Sequence, residues 1–185
     1  MMIVFNSACS ERNLIHARKD EINPLIISVR KLYNDFEGGV LFHDMNQGLD
    51  VLWQASRSTP VKEHLAFFID HGILICPNAG NTANSASFSL SLKVEENKLF
   101  VMFEGEYQRV IGIIHTHIDG LPTPAPRNDF QYARIGIHNY VMSHHDLYDA
   151  YKDTRAREVT KRLGPRWAYD KLPFNGLYDQ RAAKE

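Results

Sequence analysis

The chain has 185 residues, of which 44% are hydrophobic and 23% are charged, and its formal net charge is −1. This composition is typical of one globular domain with a sizeable core. The charge excludes the basic excess of a mainly electrostatic nucleic-acid binder. No apolar run approaches the roughly 18 residues that a membrane-spanning helix needs. We therefore expect a single domain over residues 1–185 that binds neither nucleic acid nor a membrane.

The apolar start of the chain, residues 1–5, is too short for a signal-peptide core and has no basic flank before it. It predicts a cytoplasmic protein, with export by a route that needs no signal left open. The two cysteines, Cys9 and Cys76, are too few for a disulfide framework and match no metal-binding spacing. Both are expected to be reduced.

Apolar spacing predicts the elements of the first half of the chain. A helix is expected over residues 24–33. A short strand at 40–42 and a returning strand at 49–54 enclose turn residues and form a predicted hairpin. Residues 61–71 are predicted to be helical, with Gly72 ending the helix.

Strands dominate the prediction from residue 73 to residue 114. A strand at 73–76 is followed by a polar loop at 78–87. The strictly alternating segment 88–94 is predicted to pair with a strand at 99–103, and residues 106–114 lead into a buried strand.

The last third is predicted to contain a short helix at 130–135, a strand at 139–143 and an exposed helix at 146–162. The domain core is expected to span about residues 24–162, with an aromatic C-terminal extension at 163–185. Together the elements predict an α/β domain with a mixed, mostly antiparallel β-sheet flanked by helices.

Chemistry is concentrated at the end of the buried strand, where His115 and His117 follow an apolar run. Residues at i and i+2 of a strand share one face, so both imidazoles can reach the same ion. A loop rich in glycine and proline then returns a carboxylate, Asp129. Two imidazoles and one carboxylate suit Zn²⁺ with a fourth position left for water, which is the catalytic pattern.

These residues resemble a known signature. His115, Thr116 and His117, then seven residues, then Ala-Pro-Arg-Asn-Asp at 125–129, resemble the JAMM (JAB/MPN) metalloprotease motif. That motif runs H-x-H, seven residues, S-x-x-D, downstream of a glutamate. The segment 37–42, which begins Glu-Gly-Gly, is similar to the family's glutamate-bearing strand start. The resemblance covers about residues 35–145 and is closest to bacterial JAB-like peptidase domains, including those of toxins and effectors.

Two positions depart from the motif. Ala125 occupies the serine position, and the aspartate falls one residue late, with Asn128 at the strict spacing. Because an amide is a poor zinc ligand, Asp129 is the predicted third ligand. In the family the serine helps to hold the oxyanion of the tetrahedral intermediate. Thr123 is the candidate to replace it.

The resemblance implies a JAB/MPN fold with cytidine-deaminase-like layering and a zinc-dependent hydrolase that cleaves peptide or isopeptide bonds. Its substrate would be a protein or a peptide. A glutamate would serve as the general base for the zinc-activated water. Glu37 is the first candidate for that role, and Asp35 and Glu104 are alternatives.

Two other functions stay open. The missing serine favours a catalytically weak or inactive JAB-like module that binds proteins or peptides. The segment 115–120 also resembles the H-x-H-x-D-G-like opening of polymerase-and-histidinol-phosphatase domains, which implies a metallophosphoesterase. Too little chain follows that segment for the barrel of such a domain. Neither the substrate nor the oligomeric state follows from the sequence.

Overall fold

The computed structural model describes residues 16–17, 39–57, 61–76, 80–118, 122–125 and 128–165. In these ranges the helices are α1 (Met45–Arg57) and a 3-10 helix (Tyr132–Ile135). The strands are β1 (His16–Ala17), β2 (Val40–Phe42), β3 (Leu65–Ile69), β4 (Gly72–Ile75), β5 (Leu92–Glu95), β6 (Lys98–Phe103), β7 (Glu106–Thr116), β8 (His138–Met142), β9 (Leu147–Lys152) and β10 (Glu158–Gly164). No described helix has the length and apolar character needed to cross a membrane.

All ten strands belong to one mixed sheet, whose main path runs β1-β2-β4-β3-β7-β8-β9-β10. β1 pairs with β2 in parallel and β7 pairs with β8 in parallel, whereas the other pairings are antiparallel. The first half of β7 pairs with β6, and its second half lies between β3 and β8. The C-terminal end of β7 is therefore held from both sides in the middle of the sheet.

Apolar side chains cover both faces of the sheet. On one face α1 packs against the sheet through Leu49, Leu52 and Trp53, in the same core as Ile114 of β7. On the other face Ile113 belongs to a second core, which includes side chains from β3, β6 and the 3-10 helix. Because side chains alternate along a strand, His115 and His117 lie on the face away from α1.

The predicted mixed, mostly antiparallel sheet is confirmed, as are the strands assigned to β2, β4, β6, β7 and β8 and the short helix near residue 132. Flanking by helices is sparser than predicted, because α1 is the one α-helix among the described residues. The predicted strand at 88–94 is shorter and begins at Leu92. The predicted helix at 24–33 lies outside the described residues, as does the predicted extension at 163–185 except for residues 163–165, of which Leu163 and Gly164 belong to β10.

The predicted returning strand at 49–54 is wrong, because these residues lie within α1. The polar residues before it cap the helix instead of forming a hairpin turn. Asp44 Oδ1 accepts a hydrogen bond from the Gln47 N–H at 3.0 Å. An N-cap side chain commonly binds the main-chain N–H of the residue three positions later in this way. Met45, Leu49 and Leu52 then follow helical spacing into the core.

The predicted helix at 61–71 is also wrong. Residues 65–69 form β3, and all five are buried. A strand that is covered on both faces has a continuous apolar run, and such a run cannot be distinguished from a buried helix by its periodicity. Gly72 begins the returning strand β4, where a Cβ atom would lie 2.1 Å from the Phe42 carbonyl oxygen.

The predicted exposed helix at 146–162 is a hairpin of β9 and β10. Three of the charged residues lie in its turn, where Asp153 Oδ1 accepts hydrogen bonds from the N–H groups of Arg155 and Arg157. An aspartate that binds nearby main-chain N–H groups favours a turn over a helix.

Gly48 packs closely against β2 and β4, so Gly48→Ala is expected to destabilise the protein. The added Cβ would lie 2.2 Å from Ile73 Cγ2 and 3.0 Å from Phe42 Cβ. We expect the free energy of unfolding to fall by about 1–3 kcal/mol, as overpacking does, despite the better helix propensity of alanine. Urea denaturation measures the change. Asn46→Ala, on the exposed side of α1, is the control, and equal stability of both variants would contradict the prediction.

His138 is expected to make stability depend on pH. Its Nδ1 lies 2.9 Å from the Asp149 carboxylate, and this hydrogen bond raises the pKa of His138 above 6.5, although burial opposes the shift. The protonated His138 side chain therefore stabilises the fold. This contribution is fully present below the unfolded-state pKa of 6.5 and is lost as the pH rises through the higher pKa of the folded state. Wild type should therefore lose stability relative to His138→Gln as the pH rises above 6.5, which urea denaturation at a series of pH values measures. A constant difference would contradict this.

Candidate metal centre

The end of β7 positions the two histidines of the H-x-H motif. His115 pairs with Leu65 of β3 on one side and with Val141 of β8 on the other. His117 follows the last residue of β7, and its N–H donates to the Met142 carbonyl at 2.8 Å. Both imidazoles project from a backbone that its neighbours hold in place, on the face of the sheet away from α1.

Asp129 returns to this face from the loop that follows. Its carboxylate is buried, and Oδ2 accepts a hydrogen bond from the Ala125 N–H. Its main-chain carbonyl accepts a hydrogen bond from the Asn139 amide at 2.8 Å. Thus β8 and the loop itself hold the carboxylate against the end of β7.

The three predicted ligands, His115, His117 and Asp129, come together and could hold a metal ion. The Nε2 atoms of the histidines are 3.1 Å apart. Asp129 Oδ1 lies 3.3 Å from His115 Nε2, and Asp129 Oδ2 lies 3.6 Å from His117 Nε2. Ligands at about 2.0–2.1 Å from a tetrahedral ion are roughly 3.3 Å from one another. The donor set therefore fits a small ion with tetrahedral coordination.

Asn139 orients the first of these ligands. Its Oδ1 lies 3.2 Å from His115 Nδ1, so a neutral His115 that donates from Nδ1 keeps the Nε2 lone pair for an ion. A hydrogen-bond partner on the other ring nitrogen is the usual support of a metal-binding histidine. The sequence analysis missed Asn139, because only the parallel pairing of β7 with β8 brings it beside His115.

The electrostatics of the centre favour positive charge. Burial lowers the pKa of His115, but the Asp129 carboxylate, together with Glu63 and Asn139, raises it above its ordinary value. Burial raises the pKa of Asp129, but its hydrogen bond with His115 brings it below the ordinary value. Both shifts favour a protonated His115 beside the ionised Asp129 carboxylate.

A fourth ionisable side chain, Glu63, belongs to this centre and was missed in the sequence. The β3–β7 register pairs Leu65 with His115, and Thr116 N–H donates to the His64 carbonyl at 3.0 Å. The named pairing ends at Leu65 and His115, and Glu63 directly precedes the residue whose main chain is bonded to Thr116. The side chain is buried. Burial raises the pKa of Glu63 to about 7, with His115 and Asp129 as its charged neighbours.

The predicted general bases have different outcomes. Glu37 and Asp35 lie outside the described residues. Glu104 is exposed in the turn between β6 and β7. Since β7 has 11 residues and a strand rises about 3.3 Å per residue, Glu104 lies at the far end of this strand from the histidines. It does not contribute to the centre.

Thr123, the predicted replacement for the serine, is exposed in the segment 122–125 between His117 and Asp129. Among the described residues, no hydrogen bond joins it to the three predicted ligands. Ala125, at the serine position, contributes its main-chain N–H to Asp129. This contact fixes the position of the Asp129 carboxylate.

Comparison of the chain with models of known families, with characterised proteins and with solved structures finds no match. The function must therefore be inferred from the side chains of the site.

Proposed function

We propose that the protein is a zinc-dependent metallohydrolase that cleaves peptide or isopeptide bonds in a protein or peptide substrate. The observation that carries this proposal is the grouping of His115, His117 and Asp129 within 4.8 Å of one another, with the buried carboxyl group of Glu63 beside them. Three protein ligands with two imidazoles are typical of catalytic zinc. Calcium and magnesium prefer sites made only of oxygen ligands. We also propose that the domain has the JAB/MPN fold, as the resemblance of its H-x-H motif implies.

Zinc bound at this centre would polarise the scissile carbonyl and lower the pKa of water. The chain supplies the proton transfer. We assign Glu63 as the general base, because its side chain is buried and the charges of His115 and Asp129 act on it. A base with a pKa near the working pH can accept a proton and then return it to the leaving amine.

The other side chains of the centre position these groups. Asn139 holds the ring of His115 and the backbone of Asp129 at once, so the two ligands keep their relative orientation. Donors to the oxyanion are fewer than in the JAMM motif, because Ala125 has no hydroxyl and its N–H is engaged by Asp129. We keep Thr123 as the candidate donor, and we expect a slower enzyme than one with the serine.

The proposal is tested with fluorescence-quenched peptide libraries and an isopeptide-linked peptide. Zinc-loaded protein is expected to cleave at least one of these substrates, and protein treated with a chelator is expected to be inactive until zinc is restored. A phosphate monoester and a phosphate diester serve as parallel probes. Hydrolysis of these esters with no peptide cleavage would replace the peptidase by a phosphoesterase.

A binding module is the second candidate, and the alanine at the serine position is the observation that favours it. Such a module would show no cleavage of any probe while keeping its fold. A phosphoesterase is disfavoured among the described residues, because they contain one group of three possible ligands, whereas that resemblance implies several further ligands downstream.

A further inference from the structure

A chain of buried hydroxyl groups lies behind the candidate metal centre, on the side of α1. Thr116 stands between the two histidines in the sequence, and its side chain points the opposite way. Its Oγ1 is 2.7 Å from Ser56 Oγ of α1 and accepts the His64 N–H at 2.9 Å. Ser56 Oγ donates to the Leu52 carbonyl at 3.0 Å. Thr116 and Ser56 are both 0% exposed.

Two of these bonds have a fixed direction, since the Ser56 hydroxyl donates to Leu52 and the His64 N–H donates to Thr116. The Thr116 hydroxyl has two acceptors within reach, Ser56 Oγ at 2.7 Å and the His64 carbonyl at 3.5 Å, and the shorter contact is the better hydrogen bond. Because these atoms are fully buried, removal of the Thr116 hydroxyl would take away the acceptor at 2.9 Å from the His64 N–H with no water to replace it. The arrangement therefore depends on a hydroxyl at position 116.

His64 is the residue next to Glu63, and Thr116 holds both of its main-chain polar groups. The His64 carbonyl accepts the Thr116 N–H at 3.0 Å, and the His64 N–H donates to the Thr116 hydroxyl at 2.9 Å. The named β3–β7 pairing ends one step earlier, at Leu65 and His115. The segment that carries Glu63 is thus tied to the ligand strand through Thr116.

The ring of His64 strengthens this attachment. Its Nδ1 lies 3.2 Å from the Asn81 amide nitrogen, and the ring also hydrogen-bonds to the main chain of Ala55 in α1. Glu63 itself donates its N–H to the Thr82 carbonyl at 2.8 Å. Because Glu63 directly precedes His64, a shift of His64 would also move the main chain of Glu63.

We propose that the Thr116 hydroxyl is a positioning group, which fixes Glu63 relative to His115 and His117. This inference rests on the proposed function, since Glu63 is the assigned base. Threonine suits the role because its branched side chain has few rotamers. Serine would supply the same hydroxyl, whereas valine has nearly the same shape and supplies none.

Amide hydrogen exchange, followed by NMR, tests the attachment without any substrate. In Thr116→Val we expect exchange at His64 and Glu63 to be at least about tenfold faster, as local opening becomes easier. Phe67, in the centre of β3, should change little, and Thr116→Ser should restore slow exchange. Thr160→Val, at an exposed position in β10, is the control. Unchanged exchange at His64 and Glu63, or an equal rise at Phe67, would overturn the proposal.

A double-mutant cycle tests whether Thr116 acts through Glu63. In zinc-loaded protein that cleaves a library peptide, Thr116→Val should lower kcat by about 100-fold, as a misplaced catalytic group does, with KM nearly unchanged. In a Glu63→Gln background the same change should cost less than about threefold. If the two substitutions lower kcat by independent factors that multiply in the double variant, the proposal is overturned. Lack of zinc or of cleavage in wild type would refute the proposed function instead, and the exchange result would still decide the role of Thr116.

Discussion

Protein purified in the presence of zinc is expected to hold about one zinc ion per chain, and His115→Ala or Asp129→Ala is expected to remove it. Each substitution leaves two of the three side chains that could hold an ion at this centre. Loss of a hydrogen-bond partner of a ligand already costs about 10–100-fold in metal affinity. Loss of the ligand itself should cost more than that.

Elemental analysis and competition with a chelator measure this effect. His145→Ala is the matched control, since His145 is exposed in the turn between β8 and β9 and should keep full zinc binding. Thermal unfolding of the metal-free variants separates ligand loss from misfolding. Zinc retained by Asp129→Ala would mean that the third ligand is misassigned. A wild type without zinc would refute the hydrolase and leave the binding module.

Glu63→Gln is expected to lower kcat by about 10²–10⁴-fold while zinc content stays the same. Glutamine has nearly the same volume and fills the same buried position, but it cannot accept the proton. The three predicted ligands are unchanged, so the metal should remain. Steady-state kinetics on a cleaved library peptide, with elemental analysis of the same samples, measures both quantities.

Glu104→Gln is the control for this substitution, because Glu104 is exposed at the opposite end of β7. It should leave kcat unchanged. If Glu63→Gln keeps kcat within about threefold of wild type, another group is the base. Glu37 and Asp35, the candidates from the sequence, would then be tested in the same way.

The sequence predicted much of the candidate metal centre because the relevant signals are local. Alternation along a strand places His115 and His117 on one face whatever the strand pairs with. The prolines and glycine that follow force a loop, which can return Asp129 over a short distance. The sequence also predicted the strands β2, β4, β6, β7 and β8, because each has turn residues close to its ends.

The errors in secondary structure have three different physical causes. β3 is covered on both faces, so its five apolar residues carry no alternation that could identify a strand. In α1, the polar residues that cap a helix are the same types that form turns. In the turn between β9 and β10, charged residues at helical spacing bind one another without a helix.

The sequence by itself determined that His115 and His117 share one face and that Asp129 returns to them, because both depend on neighbours along the chain. Only the tertiary structure brought in Glu63, Asn139 and the Ser56 hydroxyl. Glu63 reaches the centre through the antiparallel register of β3 with β7, and His64 and Thr116, which extend it, are 52 residues apart in sequence. Asn139 arrives through the parallel pairing of β8. Such pairings are selected by burial of the whole sheet, and no short segment contains that information.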